Sequence, residues 1–205
     1  FINEIADLCE VVDADVHDVA RGIGLDGRIG SKFLHPGPGY GGSCFPKDTL
    51  ALARTAAEVG TPMRIVEAVT TVNDARKERM AEKITAACGG SVDGKAIAVL
   101  GLTFKPNTDD MREASSRTLM EDLWKAGARV QAFDPEAMEE TQRIYGDQEG
   151  LTLCGTKEQA LKGADVLAIC TEWKEFRSPD FESIAATIRE PVVFDGRNLY
   201  EPEML

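Results

Sequence analysis

The chain has 205 residues, of which 23 are Lys or Arg and 35 are Asp or Glu, so the formal net charge is −12. Hydrophobic residues make up 43% and charged residues 28%, a globular composition that excludes disordered, collagen-like and coiled-coil chains. No apolar run approaches the roughly 20 residues of a membrane span, and an acidic surface repels nucleic-acid phosphates. We therefore expect neither a membrane nor a nucleic acid as a partner.

Residues 1–90 are predicted to be mostly helical. Apolar residues recur at helical spacing from Ile5 to Val19, and a Gly-rich segment begins soon after them. A second helix is expected over residues 46–59, because proline favours the first helical position and a glycine follows the end. The chain starts inside a predicted helix, so we expect it to be a piece of a longer protein.

A third helix is expected over residues 62–88, a length of some 40 Å. A helix of this length often links domains or lies along a subunit interface, and we expect residues 1–90 to form a dimer core around it. Its apolar stripe is predicted to comprise Ile65, Val66, Val69, Val72 and Met80.

From residue 91 to residue 205, predicted strands and helices alternate. This pattern indicates an α/β fold with a doubly wound parallel sheet, the Rossmann-like arrangement. The strands are expected at residues 95–101, 129–134, 151–154, 165–171 and 192–195, and the helices at 115–126, 136–145, 157–162 and 181–188.

The carboxyl ends of such strands form the ligand-binding edge of the sheet. The first turn there, residues 101–106, has one of the three glycines of a dinucleotide fingerprint, so it cannot wrap a pyrophosphate in the dinucleotide manner. Lys105 and Arg197 follow two of the strands and suit the phosphates of a nucleotide. The alternative is a pair of solvated surface charges. Asp134 ends the second strand, where a dinucleotide fold keeps its ribose-binding acid.

Cys44 stands directly before the second predicted helix, whose start carries about half a positive charge. This position and the nearby Lys47 favour a thiolate, and the neighbouring glycines allow a substrate to approach the backbone. Asp48 lies one turn further along and could move protons. The alternative is a small buried side chain in a capping loop. We interpret the other four cysteines as buried side chains, because each lies within or at the end of an apolar helix or strand. Five widely spaced cysteines without a Cys-x-x-Cys pair predict no zinc site, no disulfides and a cytoplasmic location.

Three segments resemble signatures of the UDP-glucose/GDP-mannose dehydrogenase family. They are residues 33–48 (FLHPGPGYGGSCFPKD), 101–113 (GLTFKPNTDDMRE) and 194–197 (FDGR), in the family's order. The resemblance covers essentially the whole chain and is strongest to the members that oxidise UDP-glucose. It implies a central helical dimerisation domain at residues 1–90 and a C-terminal UDP-sugar-binding domain at residues 91–205, with the NAD-binding domain upstream of Phe1.

The resemblance also implies a reaction, the NAD-dependent four-electron oxidation of UDP-glucose to UDP-glucuronate. Cys44 would attack the aldehyde to give a thiohemiacetal, a second oxidation would leave a thioester, and Asp48 would assist the water or proton steps. Because the NAD-binding domain is absent from residues 1–205, we expect these residues alone to be inactive.

The same resemblance assigns the binding residues. The substrate would contact Arg28, His35, Pro36, Gly37, Pro38, Gly39, Tyr40, Gly41, Phe104, Lys105 and Arg197, with Arg28 reaching the substrate of a neighbouring subunit. NAD would contact Cys44, Phe45, Pro46, Lys47 and Arg112.

Three alternatives stay open at this point. The chain could belong to a dehydrogenase of another nucleotide sugar, such as GDP-mannose. It could be a non-catalytic module for nucleotide-sugar binding or oligomerisation, with Cys44 structural. A cysteine hydrolase is a third class, but it needs a paired imidazole, and His17 and His35 are the two histidines in the sequence.

Overall fold

The computed structural model describes residues 1–200, and the last five residues of the predicted second domain lie outside this range. The first half contains the helices α1 (Ile2–Val12), α2 (Val16–Gly24), α3 (Phe45–Glu58) and α4 (Arg64–Ala87). The apolar stretch from Ile5 to Val19 is divided between two helices. Asp13 ends α1 in the left-handed conformation, with φ of 56°, and the Asp15 carboxylate caps α2 by accepting the His17 N–H at 2.7 Å.

The long helix α4 has 24 residues, but its buried face differs from the predicted stripe. The prediction is wrong for Ile65, whose side chain is 82% exposed. The buried side chains of α4 are Asn73, Lys77, Ala81 and Ile84. Polar residues thus occupy the first part of this face and apolar residues the second part, because the two parts pack against different neighbours.

The second half forms one five-stranded parallel sheet, which confirms the predicted Rossmann-like α/β fold. Its strand order is β3-β2-β1-β4-β5, so the order reverses between β1 and β4. The strands are β1 (Ala96–Leu100), β2 (Arg129–Phe133), β3 (Leu151–Leu153), β4 (Val166–Ile169) and β5 (Val193–Asp195), and the helices are α5 (Ser115–Lys125), α6 (Met138–Tyr145), α7 (Lys157–Leu161) and α8 (Phe181–Thr187).

Two apolar clusters cover the two faces of this sheet. Successive side chains of β1 point to opposite faces, so Ile97 and Val99 belong to one cluster while Ala98 and Leu100 belong to the other. Ile84 of α4 packs in the first cluster, together with residues of α5. A third, smaller cluster joins α1 and α2. The core of the sheet therefore extends across residue 90, the predicted boundary of the two domains.

Within residues 1–200, no helix has both the length and the apolar character that a membrane crossing requires.

Candidate active site

Cys44 is the residue directly before α3. Its thiol is exposed, and Ser43 Oγ lies 3.6 Å from its Sγ. The thiol therefore stands at the positive end of a 14-residue helix and is open to solvent. These are the surroundings that the sequence predicts for a reactive cysteine.

Asp48 lies on the first turn of α3, four residues after Cys44. Its backbone N–H donates to the Cys44 carbonyl at 2.8 Å, so the two residues follow each other up one side of the helix. The Asp48 carboxylate is exposed and lies 3.4 Å from Lys47 Nζ. The structure thus places an accessible acid one helical turn from the accessible thiol.

Residues 34–44, which we call the glycine loop, rest against the sheet half of the protein. The Gly42 N–H donates to the Arg112 carbonyl at 2.7 Å. A Cβ on Gly41 would come within 2.3 Å of the Glu113 carbonyl oxygen, and one on Gly42 would come within 2.8 Å of the Phe104 ring. Side chains at these two positions would separate the surfaces, so glycine is what lets the Cys44 segment reach the first strand–helix turn of the sheet.

Arg197, which follows β5, lies at the contact between the glycine loop and the first strand–helix turn. Its Nε donates to the Cys170 carbonyl and its Nη2 to the Phe104 carbonyl, each at 2.8 Å. The Glu172 carboxylate lies 3.0 Å from Nε, and a Cβ on Gly37 would come within 3.0 Å of Nη1. The guanidinium of Arg197 therefore lies between the glycine loop and the ends of two strands.

Two further cations, Lys105 and Arg112, lie on the strand–helix turn that contacts the glycine loop. Lys105 is exposed, and its Nζ lies 5.2 Å from the centroid of the Phe104 ring. Arg112 is exposed, and its Nη2 contacts the Asp110 carboxylate at 2.6 Å. Hydrogen bonding to Asp110 raises the pKa of Arg112, and Cys44 adds a smaller electrostatic contribution. The same pair holds the pKa of Asp110 below its ordinary value.

The other predicted site residues divide by exposure. Pro36, Gly37, Pro38, Gly39 and Pro46 are buried, Tyr40 is half-buried, and His35, Phe45 and Lys47 are exposed. The Tyr40 and Phe45 rings meet edge to face with their centroids 4.6 Å apart. Arg28 is 89% exposed and pairs with Asp26 at 2.6 Å, so it lies apart from the contacts that join the glycine loop to the sheet.

Three residues of α4 that our sequence analysis does not assign to the site hold the glycine loop: Asn73, Arg76 and Lys77. Asn73 accepts the Tyr40 N–H at 2.7 Å and donates to the Tyr40 carbonyl at 3.2 Å. A signal for them was present, since their spacing of three and four residues places all three on one helix face. The apolar stripe predicts a different set of positions of α4 to be buried, so it does not indicate this polar face.

The binding edge of the sheet does not fit a dinucleotide. Asp134, at the end of β2, is fully buried. Its Oδ2 accepts the Leu102 N–H at 2.6 Å and the Trp173 Nε1–H at 3.0 Å. Its Oδ1 accepts the N–H groups of Glu136 and Ala137 at 2.9 and 3.0 Å. This carboxylate is therefore not available to a ribose, and its role is to fix the turn after β1.

A cavity of about 580 Å³ lies between α1, α4 and the end of β5. Pro38 and Met80 contribute to its wall, whereas Cys44, Phe104 and Arg112 do not. The Cys44 thiol therefore lies outside this cavity, on the exposed surface beside Phe104 and Arg112.

Comparison with known sequences identifies the family to which these features belong. Residues 1–75 match the central domain of the UDP-glucose/GDP-mannose dehydrogenase family, and residues 98–202 match the UDP binding domain of the same family. The chain belongs to this family.

Individual relatives agree with this assignment. The chain is 57% identical to the UDP-glucose 6-dehydrogenase of Rhizobium meliloti and 45% identical to that of Pseudomonas aeruginosa, over 99% and 98% of its length. It covers 46% and 45% of those proteins, so it spans about half the length of the curated relatives it matches. The solved structure of a UDP-glucose dehydrogenase from Pyrobaculum islandicum superposes with a TM-score of 0.88 at 36% identity, covering 99% of this chain and 45% of that one.

Proposed function

We propose that this chain carries the catalytic cysteine and the nucleotide-sugar cleft of an NAD-dependent UDP-glucose 6-dehydrogenase. The observation that carries the proposal is the meeting of three segments: the glycine loop with Cys44, the turn from Phe104 to Arg112, and Arg197. They correspond to the three family signatures, and they place an accessible thiol beside a turn that carries Lys105 and Arg112. The similarity to two bacterial UDP-glucose 6-dehydrogenases supports UDP-glucose as the substrate.

Cys44 would hold the half-oxidised sugar. Its sulfur would add to the C6 aldehyde carbon, and the carbonyl oxygen would take up the thiol proton to form a thiohemiacetal. Removal of the C6 hydrogen as hydride, with loss of the hydroxyl proton to water, would leave a thioester. Water would then attack the thioester carbon, the carbon–sulfur bond would break with Cys44 expelled as the thiolate, and UDP-glucuronate would be released. Asp48, one turn away and open to water, would accept the proton of that attacking water. A covalent link explains why the reaction needs a cysteine, since the aldehyde is never released.

The substrate would lie along the glycine loop. The backbone from His35 to Gly41, including Pro36, Gly37, Pro38, Gly39 and Tyr40, would surround the sugar and diphosphate. Phe104, Lys105 and Arg197 would hold the nucleotide on the sheet half. Lys105 is well suited to a phosphate because its ammonium is exposed, whereas Arg197 is tied to two carbonyls and would act from a fixed position. Arg28, which points to solvent, would reach the substrate of a second subunit.

The residues assigned to NAD fit one side of a dinucleotide. The start of α3 is formed by Cys44, Phe45, Pro46 and Lys47. Arg112 is held next to this segment because its backbone carbonyl accepts the N–H of Gly42, two residues before Cys44. A helix N-terminus beside an exposed guanidinium suits a diphosphate. When bound, NAD⁺ supplies the hydride acceptor for both oxidations. Since the sheet edge lacks the dinucleotide glycines and Asp134 is engaged, we propose that residues 1–205 alone bind NAD negligibly and are inactive.

The decisive experiment is a substrate panel on the full-length protein. UDP-glucose, UDP-galactose, UDP-N-acetylmannosamine and GDP-mannose are each incubated with NAD⁺, and the NADH formed per sugar consumed is counted. We expect turnover of UDP-glucose with a ratio of two. A ratio of one, a preference for another sugar, or a Cys44→Ser protein with full activity would each contradict the proposal.

We also propose a cytoplasmic homodimer built on the helical half. Large apolar side chains are exposed there, among them Phe33 at 94% and Leu25 at 84%, and burial in a subunit interface would remove them from water. All five cysteines are free, which supports a reducing compartment. Light scattering at tens of micromolar protein tests the dimer, and a strict monomer at that concentration would contradict it.

A further inference from the structure

We propose that the polar face of α4 formed by Asn73, Arg76 and Lys77 is a positioning device that sets the conformation of the glycine loop and thereby the place of Cys44. We call these three residues the α4 clamp. The catalytic consequence rests on the proposed function, whereas the conformational consequence can be measured without it.

The clamp forms hydrogen bonds with the backbone of the glycine loop at two residues, Tyr40 and Gly37. Asn73 binds both the N–H and the carbonyl of Tyr40. Arg76 Nε donates to the Gly37 carbonyl at 2.9 Å, and its guanidinium also contacts the Asp7 carboxylate on α1. These bonds satisfy backbone groups that a loop without secondary structure would otherwise leave unpaired. They also fix residues 37–40, the segment proposed to surround the substrate.

Lys77 adds the link to the sheet half. Its side chain is 7% exposed, and its Nζ donates to Glu113 Oε2 at 3.1 Å. Gly39 adopts φ of +115°, and a Cβ there would come within 2.8 Å of Lys77 Cγ. The stem of Lys77 therefore lies against the loop while its ammonium reaches the residue after Arg112. Because the Glu113 carbonyl lies against Gly41, one side chain contacts both sides of the junction that places Cys44.

Burying the ammonium of Lys77 costs free energy, because the charge loses its contact with water. Desolvation of its charge is offset by Glu113, whose side chain is 61% exposed, so an apolar residue of similar length would pack there at lower cost. We infer that the charge is retained because it fixes one arrangement of the glycine loop relative to residues 104–113. The clamp residues would not touch the reacting atoms and would act through the loop.

The first test compares Lys77→Met with Lys95→Met in the full-length protein. Methionine keeps the apolar stem against Gly39 and removes the charge. Lys95 makes a comparable ion pair, with Glu190 at 2.9 Å, before β1 and outside the glycine loop. Hydrogen–deuterium exchange is followed in the peptide covering residues 36–44. We expect Lys77→Met to speed exchange in this peptide by about threefold or more and Lys95→Met to leave it unchanged. Unchanged exchange in Lys77→Met, or an equal increase in both variants, would overturn the proposal.

The second measurement separates positioning from general stability. We expect Lys77→Met to lower kcat for UDP-glucose by about tenfold while the KM for NAD⁺ changes less than about twofold, and Lys77→Arg, which keeps the charge, to recover most of the loss. If Lys77→Met does not fold, Asn73→Asp keeps the acceptor for the Tyr40 N–H, loses the donor, and should change exchange in the same direction. An inactive wild-type protein would refute the proposed function, and the exchange result would still decide the role of the clamp.

Discussion

At the scale of single residues, Cys44 differs from the other four cysteines in its access to solvent. Cys9, Cys154 and Cys170 are buried and Cys88 is half-buried. Burial raises the pKa of Cys170 to about 12, and desolvation also raises the pKa of Cys88 and of Cys154. A thiol with a raised pKa has little thiolate at pH 8, so Cys88, Cys154 and Cys170 are disfavoured as nucleophiles by their chemistry as well as by their burial.

We therefore predict that iodoacetamide at pH 8 modifies Cys44 first. Peptide mass spectrometry over time should show alkylation of Cys44 at least about tenfold faster than that of Cys170. UDP-glucose should slow the reaction of Cys44 in the full-length protein and leave the other cysteines unaffected. Equal rates at Cys44 and Cys170 would contradict the exposure that the mechanism requires.

Asp134 provides a second prediction at this scale. Replacing it with alanine removes the acceptor for the N–H groups of Leu102, Glu136 and Ala137 and for the indole of Trp173, among others. We expect Asp134→Ala to lower the free energy of unfolding by about 3–5 kcal/mol. The exposed Asp109→Ala, on the turn that Asp134 fixes, should change it by less than about 0.5 kcal/mol. Urea denaturation measures both, and similar losses would show that the carboxylate is not structural.

The sequence could identify Cys44 and the three signatures, because a cysteine before a helix and among glycines is a local pattern. It could not show the function of Asp134. A carboxylate at the end of a second strand has the same sequence pattern whether it binds a ribose or caps a neighbouring turn. The difference depends on Trp173, 39 residues away, whose indole occupies one of its oxygens.

At the scale of elements, the conformation of the glycine loop depends on its contacts with α4 and with the turn after β1. Gly41 faces the Glu113 carbonyl with no room for a side chain. We expect Gly41→Ala to destabilise the protein by about 1–3 kcal/mol, because backbone rather than a flexible side chain would have to move. Gly27→Ala is the matched control, since a Cβ on Gly27 has no neighbour within 4 Å. Thermal unfolding compares the two, and equal midpoints would contradict the close approach.

Element types were largely predictable, since each predicted strand is present and the helix ends differ by a few residues. The exceptions have physical causes. The break between α1 and α2 depends on the left-handed Asp13 and the Asp15 cap, which override a continuous apolar pattern. The apolar pattern does not predict the polar part of the buried face of α4. This part packs against the backbone of the glycine loop, and a backbone is bound by polar side chains rather than by an apolar stripe.

At the scale of the whole molecule, α4 joins the two halves. Ile84 is fully buried in the core of the sheet, while Asn73 holds the glycine loop. We therefore predict that the halves unfold together. In urea, the fluorescence of Trp124 and Trp173 reports on the sheet half, and alkylation of the buried Cys9 reports on α1. The two midpoints should coincide, whereas two separate transitions would show that the halves are independent.

A substitution in the shared helix tests this coupling. Ile84→Ala should lower both urea midpoints together and reduce the free energy of unfolding by about 2–5 kcal/mol, because it leaves a cavity in the sheet core. Glu82→Ala, an exposed change on the same helix, should change that free energy by less than about 0.5 kcal/mol.

The two neighbours of α4 also constrain how its length can vary. Each residue of an α-helix turns the chain by about 100°, so one residue inserted between Lys77 and Ile84 would rotate one part of the helix away from its neighbour. An insertion of seven residues would nearly restore the rotation but would lengthen the helix by about 10 Å. Substitutions are thus tolerated in this interval far more readily than changes in residue number, and descendants of this chain should keep Ile84 seven residues after Lys77.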